Sequence, residues 1–238
     1  MQPSLYQIVH CYRNRPRFVA EHHALLALSG DRLWGIAPAM TVAQLTTAIT
    51  ELLQRERYSQ AVSAFVRVEL TSDGAITLTP LGSSLYAGYA LRSLRPECCT
   101  LRYELPFAVP CTTAAEACHT LAEEVARSRG FEAAVRCDQT GAVHALGDAH
   151  LFAGHGGALY TSSSPSSVEG RLLIKAAERL RMRCYVQPIM ADTIHRYEEL
   201  FAVDHRGITS LMRCDAHPLM TLRAERLAEE MEALLTAR

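Results

Sequence analysis

Residues 130–152 read GFEAAVRCDQTGAVHALGDAHLF, and this stretch decides the fold. Its short apolar runs alternate with the turn signals DQTG and GD, which is typical of strand–turn–strand structure. A glycine-rich turn at residues 154–157 and a further apolar run at residues 158–161 follow. After a Ser/Pro loop, residues 169–173 (EGRLL) begin a predicted helix. The pattern predicts a hairpin-rich sheet that leads into a helix.

Size and composition exclude several classes of function. The chain has 238 residues, 49% hydrophobic and 21% charged, with a net charge of -1, so it can bury one or two cores. It has neither the basic excess of a nucleic-acid-binding protein nor the ~18-residue apolar run of a membrane helix. The first residues lack a signal-peptide layout. Its eight cysteines form no C-x-x-C motif, so we expect reduced thiols, no metal site and a cytoplasmic location.

The stretch of residues 130–173 resembles the pyridoxal-phosphate enzymes of aminotransferase class IV, which include branched-chain and D-amino-acid aminotransferases and aminodeoxychorismate lyase. In that family the stretch reads roughly EAL-x-x-D-x-x-G-x-V-x-E-x-x-x-x-N-x-F, then a hairpin, then G-I-T-R at the start of a helix. The beginning of the chain is similar as well, since six residues fall on matching positions without a gap: Tyr6, Tyr12, Phe18, His22, Leu26 and Ser29. The resemblance implies a two-domain α/β (α+β) protein with the class IV aminotransferase-like fold, assembled as a homodimer.

The expected domain boundaries follow from the same resemblance. Residues 1–105 are predicted to form a small N-terminal α/β domain, and the proline-containing residues 106–113 a linker. Residues 114–238 are predicted to form a larger C-terminal α/β domain with a strand-rich core, and a ligand cleft lies between the two domains. In this arrangement residues 6–12 and residues 142–152 belong to separate sheets.

The family depends on a lysine, because its amine forms an imine with the cofactor aldehyde and moves the substrate α-proton. The resemblance puts this lysine at Thr112 or a neighbour, Cys111 or Thr113, and none of these residues is a lysine. Lys175 is the only lysine of the chain. It lies inside a predicted helix, where a solvated face is the expected setting. We therefore expect no catalytic residue of the family's kind.

Other contacts that the family makes with its cofactor are also replaced. By the resemblance, Ala145 stands at the glutamate that faces the pyridine nitrogen, and Leu25 stands at an arginine near the phosphate. Gly170 keeps the turn before the phosphate-binding helix, but Leu172 and Leu173 replace a hydroxyl and a guanidinium. We expect that the chain binds no cofactor, and pyridoxal phosphate only if this register is misread.

These losses predict a class IV aminotransferase-like protein without transaminase activity, a pseudoenzyme that serves as a binding or assembly protein. The first alternative is an active pyridoxal-phosphate-dependent aminotransferase or aminodeoxychorismate lyase whose lysine register is misread. The second is a cofactor-independent enzyme that uses Cys111, His10 or His150 as acid–base groups. Tyr6, Ile8 and His10 alternate on one strand face. With His150 and Gly170, they are the candidate residues of a small-molecule cleft.

Three further patterns remain open. His22-His23 looks like a metal pair, although adjacent residues on a helix point apart. Cys111 or Cys118 with His119 combines a nucleophile with a base, but Cys118 and His119 are also adjacent on a predicted helix. His150, His155 and the glycine-rich turn of residues 154–157 are suited to a metal or anion site.

Overall fold

The computed structural model describes residues 3–56, 58, 62–108 and 111–236, and the chain divides into two compact units. Unit 1 comprises Met1–Gly88 and Val109–Ala115, and unit 2 comprises Tyr89–Ala108 and Glu116–Arg238. Both are mixtures of helices and strands, as the sequence predicts. No helix in the described ranges is long and apolar enough to cross a membrane.

Unit 1 is a four-stranded sheet, of strand order β2-β1-β3-β4, packed against two helices. The strands are antiparallel neighbours. The elements are β1 (Ser4–Tyr12), β2 (Arg15–Pro16), α1 (Val19–Trp34), α2 (Val42–Arg55), β3 (Ser63–Thr71) and β4 (Ile76–Ser84).

The start of α2 shows why this segment is helical. Thr41 is the N-cap of this helix, and it forms a capping box with Gln44. The side chain of each residue accepts a hydrogen bond from the backbone N–H of the other. A cap of this kind stabilises a helix by about 1 kcal/mol. Leu45, Ile49 and Leu52 then recur on one face and are buried in the core of unit 1.

Unit 2 is built on an 11-stranded sheet with three helices. The elements are β5 (Ala90–Leu91), β6 (Glu97–Arg102), α3 (Thr113–Ser128), β7 (Ala133–Cys137), β8 (Val143–Leu146), β9 (Ala149–His155), β10 (Ala158–Thr161), α4 (Val168–Arg179), β11 (Cys184–Val186), β12 (Glu199–Asp204), β13 (Gly207–Ser210), β14 (Arg213–Cys214), β15 (His217–Pro218) and α5 (Ala224–Thr236). Short 3₁₀ turns occur at Pro106–Ala108 and Ala191–Arg196. The first residues of α3 count with unit 1.

The central strands of this sheet come from the stretch of residues 130–152. β6 and β7 pair in parallel, β7, β8 and β9 form an antiparallel meander, and β9 pairs with β12. β1 belongs to the other sheet, so residues 6–12 and residues 142–152 lie in separate sheets as expected.

The boundaries of the compact units differ from those of the expected domains, most of all at residues 89–105. Residues 89–105 were expected in the N-terminal domain, but β5 pairs with β13 and β6 pairs with β7 and β14. Their strand partners therefore lie far along the chain, in unit 2. Of the expected linker, residues 109 and 110 lie outside the described residues.

One glycine marks the contact of β5 with β13. Gly207 has φ 113°, which L-residues with a side chain rarely adopt, and it is paired with Ala90. A Cβ at this position would collide with the backbone of Ala90. The close approach of these two strands therefore requires glycine.

The cysteines pack as small apolar residues. All eight are free thiols. Cys98, Cys137 and Cys214 lie in the main core cluster of unit 2, and burial raises the pKa of each thiol above its usual value. These three thiols are inert parts of the core.

Candidate functional site

The segment that would carry the family's lysine lies beside β1. The backbone N–H of Tyr6 donates to the carbonyl oxygen of Cys111 at 2.9 Å, and Leu5 and Thr112 form an antiparallel bridge. The hydroxyl oxygen of Thr112 accepts a 2.9 Å bond from the N–H of Ala115, so this side chain caps α3. The segment is held in place at both ends, and none of residues 111, 112 and 113 supplies an amine.

Lys175 lies on the exposed side of α4. The opposite side of this helix carries Leu172, Leu173 and Ala176, which are buried, and it packs against α5 and β12. The amine of the only lysine therefore extends into solvent, as the sequence predicts.

Ala145 stands between two polar side chains. It is the register partner of Arg136 on β7 and of His150 on β9. Directly opposed residues on neighbouring strands point to the same face. The position that the resemblance gives to a glutamate therefore carries a methyl group, flanked by a guanidinium and an imidazole.

His150 is held neutral by its surroundings. Its Nε2 atom lies 2.7 Å from Oγ1 of Thr161, and its ring contacts Phe152 edge-on. Burial, and then the nearby charges of His144 and Arg136, lower its pKa to about 4. It therefore supplies no positive charge near neutral pH.

The helix that was predicted to begin with residues 169–173 is α4, which begins at Val168. Ser167 is its N-cap, and its hydroxyl accepts the N–H of Gly170 at 3.1 Å. Gly170 thus lies in the first turn, packed so closely that a Cβ would fall 2.5 Å from Cβ of Pro165. Leu172 and Leu173 lie in the following turn and face the core. Their N–H groups are not among the first four of the helix, which are the ones left free at a helix start.

Glu169 lies in the first turn of α4. The sequence did not identify it as a candidate site residue. Its carboxyl group is buried, and interactions with its own backbone and with Tyr89 act to lower its pKa. Burial, followed by the charge of Asp204, raises its pKa to about 7. The chain thus places its own acid at the helix terminus where anions bind well.

The face of β1 with Tyr6, Ile8 and His10 carries polar contacts, as expected for one strand face. Tyr6 is buried, with the Arg67 guanidinium 4.0 Å from its ring centre. Nε2 of His10 lies 3.0 Å from the hydroxyl of Ser63. Ile8 is half-buried. All three lie in unit 1, whereas Ala145, His150 and Gly170 lie in unit 2.

The histidine pair of α1 has structural contacts. Nδ1 of His22 lies 3.0 Å from Oε1 of Gln7, and Nε2 of His23 lies 2.7 Å from the carbonyl oxygen of Met40. Leu25, at the family's arginine position, is half-buried on the same helix. Among the described residues, no group of three or more His, Cys, Asp or Glu side chains could hold a metal ion.

His119 contacts two residues of other segments, which the sequence did not reveal. Its Nδ1 atom forms a 2.8 Å hydrogen bond with the Tyr103 hydroxyl. Its Nε2 atom lies 3.1 Å from Oδ1 of Asp148, an ion-pair distance without hydrogen-bond geometry. Both ring nitrogens face oxygen atoms, so His119 is not placed to act as a base for its neighbour Cys118.

Comparison with protein-family models and with curated protein sequences found no match. Solved structures do match. The branched-chain aminotransferase of Thermoproteus uzoniensis, solved with norvaline, is 17% identical, with a TM-score of 0.80 over 98% of this chain and 86% of that chain. A candidate 4-amino-4-deoxychorismate lyase from Legionella pneumophila is 13% identical, with a TM-score of 0.79 over 98% and 90% of the two chains. The chain has the class IV aminotransferase fold. The fold predicted from residues 130–173 is therefore confirmed.

The same comparison corrects the expectation about the cofactor. An aminotransferase from Brucella abortus, 13% identical with a TM-score of 0.77 over 99% and 89% of the chains, was solved with pyridoxal phosphate. A second branched-chain aminotransferase, from T.th., is 17% identical with a TM-score of 0.81 over 99% and 86% of the chains, and was solved with pyridoxamine 5'-phosphate. The prediction of no cofactor is wrong by this comparison, which points to pyridoxal phosphate instead.

The residues of this chain nevertheless do not fit an imine-bound cofactor. An imine needs an amine, and residues 111–113 offer a thiol and two hydroxyls. The exposed Lys175 lies on a helix whose other face is core. At the position that the resemblance assigns to the lysine, these side chains therefore offer no amine for covalent attachment.

Proposed function

We propose that this protein binds a phosphorylated pyridoxal or pyridoxamine without covalent attachment and has no transaminase activity. The absence of an amine at residues 111–113 supports the lack of transaminase activity. The binding of a ligand is supported by the similar structures that hold pyridoxal phosphate or pyridoxamine 5'-phosphate. Its function is binding rather than catalysis.

Transamination fails in this chain for a chemical reason. The lysine amine both attaches the cofactor and carries the α-proton, so its loss removes nucleophile and base together. Cys111 is half-buried and Thr112 is used as a helix cap. Neither a thiol nor a hydroxyl forms a stable imine with an aldehyde, so neither replaces the lysine.

A non-covalent ligand has a chemical precedent in pyridoxamine 5'-phosphate. This form carries its own amine in place of the aldehyde, so no protein amine attaches it. In this chain the N-terminal turn of α4, from Ser167 to Gly170, is the place where a phosphate would meet helix N–H groups. Glu169 lies in the same turn, so the ligand phosphate competes with a carboxyl group. We expect weaker binding than in a lysine-containing enzyme.

The experiment is a titration of the purified protein with pyridoxamine 5'-phosphate and with pyridoxal phosphate, followed by calorimetry and absorbance. We expect saturable binding of both ligands, no absorbance band from an imine formed with residues 111–113, and no amino transfer to a keto acid. Borohydride treatment and peptide mass spectrometry locate any covalent product. The matched control is Lys175→Arg, which removes the only side-chain amine and keeps the charge.

Two results would overturn the proposal. Absence of saturable binding for both ligands removes the binding function. Amino transfer that disappears in Lys175→Arg shows instead an active enzyme with Lys175 as its lysine.

We also propose a homodimer, as the resemblance implies and as is commonest among symmetric assemblies. Light scattering at micromolar concentration tests it, and a monomer there would contradict it.

A further inference from the structure

His195 and His217 differ from the other histidines that the structure describes. Each of the others has a polar partner or lies beside a charged group, as His150 does with Thr161. The rings of His195 and His217 contact each other, and they make no hydrogen bond or ion pair with a described residue. A neutral imidazole keeps a lone pair on one ring nitrogen, and this lone pair is what binds a metal ion. Both rings therefore keep a nitrogen for a ligand from outside the chain.

The two rings lie at a spacing that one metal ion can bridge. Their centres are 5.5 Å apart and their planes are inclined by 47°. An ion bound at about 2.1 Å by one nitrogen of each ring places the two ring centres roughly 5 Å apart. His195 is exposed and His217 is half-buried. Rotation about the side-chain bonds can therefore direct one nitrogen of each ring at a common point.

The backbone that carries the pair is fixed by core residues. Ile194 precedes His195 and Leu219 follows shortly after His217, and both are buried in the main core cluster of unit 2. The N–H of Tyr197 donates to the carbonyl oxygen of Ile194 and closes the 3₁₀ turn. The other histidine lies on β15, which pairs with β14 at one end of the sheet. An ion therefore has only two side chains to order, which keeps the entropic cost of binding small.

The two imidazoles select the kind of ion. Imidazole nitrogen suits zinc, nickel and copper, whereas magnesium and calcium prefer oxygen ligands. Among the described residues no third His, Cys, Asp or Glu joins the pair in a metal-binding group. Structural zinc sites use four protein ligands. Two histidines therefore predict an exchangeable ion whose other coordination positions are taken by water.

We propose that His195 and His217 form a binding site for a divalent zinc, nickel or copper ion. This goes beyond the proposed function, because the site uses neither residues 111–113 nor the start of α4. It also differs from the metal pair that the sequence suggested, His22-His23, because both of those rings bond to other groups of unit 1.

The test follows the C2–H resonances of the histidines by NMR while the full-length, chelator-treated protein is titrated with zinc chloride. Magnesium chloride at matched ionic strength is the comparison arm. His195→Gln and His217→Gln assign the two resonances. We expect both resonances to shift together and saturably with zinc, and neither to saturate with magnesium. In each variant, half-saturation followed on the histidine that is kept should rise at least about tenfold, because one of two linked ligands is lost.

His155→Gln is the matched control, because this histidine is also exposed in unit 2 and belongs to the glycine-rich turn. We expect it to leave half-saturation at His195 and His217 unchanged. The proposal is overturned if zinc shifts neither resonance of the wild type saturably, or only one of them. It is also overturned if both single variants keep the half-saturation of the wild type, or if zinc and magnesium act equally. The wild-type titration decides the first outcome even where a variant does not fold, and none of these results depends on pyridoxal phosphate binding.

Discussion

The backbone N–H of Tyr6 donates a 2.9 Å hydrogen bond to the carbonyl oxygen of Cys111. This bond holds the segment to which the resemblance assigns the family's lysine along β1. Thr112 then caps α3. The proposed loss of covalent attachment therefore rests on the side chains of residues 111–113 and not on the path of the backbone.

Restoring the amine is the first prediction. In a Lys175→Arg background, Cys111→Lys keeps the backbone bond to Tyr6 and leaves the α3 cap intact. We expect it to form an imine with added pyridoxal phosphate, which borohydride fixes at residue 111. The measurement is absorbance with peptide mass spectrometry.

The control for this variant is Arg179→Lys in the same background, which places an amine on the exposed part of α4. If both variants react equally, the imine reports an exposed amine and the register at residue 111 is wrong. Thr112→Lys should cost about 1 kcal/mol of unfolding free energy, since it removes the cap of α3.

The second prediction concerns Glu169. Its pKa is raised to about 7 from 4.5, first by burial and then by Asp204, against the opposing hydrogen bonds and Arg171. The folded state therefore holds a proton that the unfolded state loses between these pH values, and the unfolding free energy falls as pH rises from 4.5 to 7. Glu169→Gln keeps the shape and cannot ionise. Above pH 7 it should be more stable than the wild type by at most about 3 kcal/mol, with little difference near pH 4.5.

Urea unfolding at pH 5, 6, 7 and 8 measures this difference for wild type and variant. A variant that is less stable than the wild type at pH 8 contradicts the prediction, because the ionised carboxylate would then be stabilising. Glu178→Gln, exposed on the same helix, is the matched control and should change stability by less than about 0.5 kcal/mol.

The third prediction concerns His150, whose pKa is lowered to about 4 by burial first and by His144 and Arg136 next. Its contribution to the unfolding free energy is present above pH 6.5 and is lost as pH falls toward 4. In this range the imidazole is protonated in the unfolded state and stays neutral in the folded state. Between pH 4.5 and 6.5, the change of the unfolding free energy with pH that His150 causes in the wild type is opposite in sign to the change that Glu169 causes. The Glu169→Gln variant should therefore show a steeper loss of stability on acidification. A C2–H resonance of His150 that titrates near pH 6.5 would contradict the prediction.

Local patterns allowed much of this architecture to be predicted from sequence. The alternation in residues 130–152 predicted the strand–turn–strand structure that β7, β8 and β9 form. The helix predicted to begin with residues 169–173 is α4, which begins at Val168. Its cap is not evident from the sequence, because the serine-rich loop offers several candidates and only the structure identifies Ser167.

Long-range contacts account for what the sequence did not reveal. Residues 89–105 join unit 2 through strand pairs that include Ala90 with Gly207, which are more than one hundred residues apart. The contacts of His119 with Tyr103 and with Asp148 likewise join three separate segments. No period or motif in the sequence encodes these relations.

The last prediction concerns the start of α5. The carboxylate of Glu199 is fully buried and accepts the backbone N–H groups of Leu222, Arg223 and Ala224 at 2.9–3.1 Å. It supplies from β12 the acceptor that a local N-cap side chain usually provides, and its negative charge faces the positive end of the helix dipole. Glu199→Ala leaves these donors buried and should cost about 3–5 kcal/mol of unfolding free energy. Glu199→Gln should cost about 1.5–3 kcal/mol, because it removes the charge and part of the acceptor capacity.

Urea unfolding, followed by far-UV circular dichroism, measures both losses. Glu225→Gln, which alters an exposed carboxylate in the first turn of the same helix, is the control and should cost less than about 1 kcal/mol. If Glu199→Ala and Glu225→Gln lose similar amounts, the buried carboxylate does not hold α5 in place. If Glu199→Ala alone is strongly destabilised, the attachment of α5 to β12 depends on a charge and not only on apolar packing.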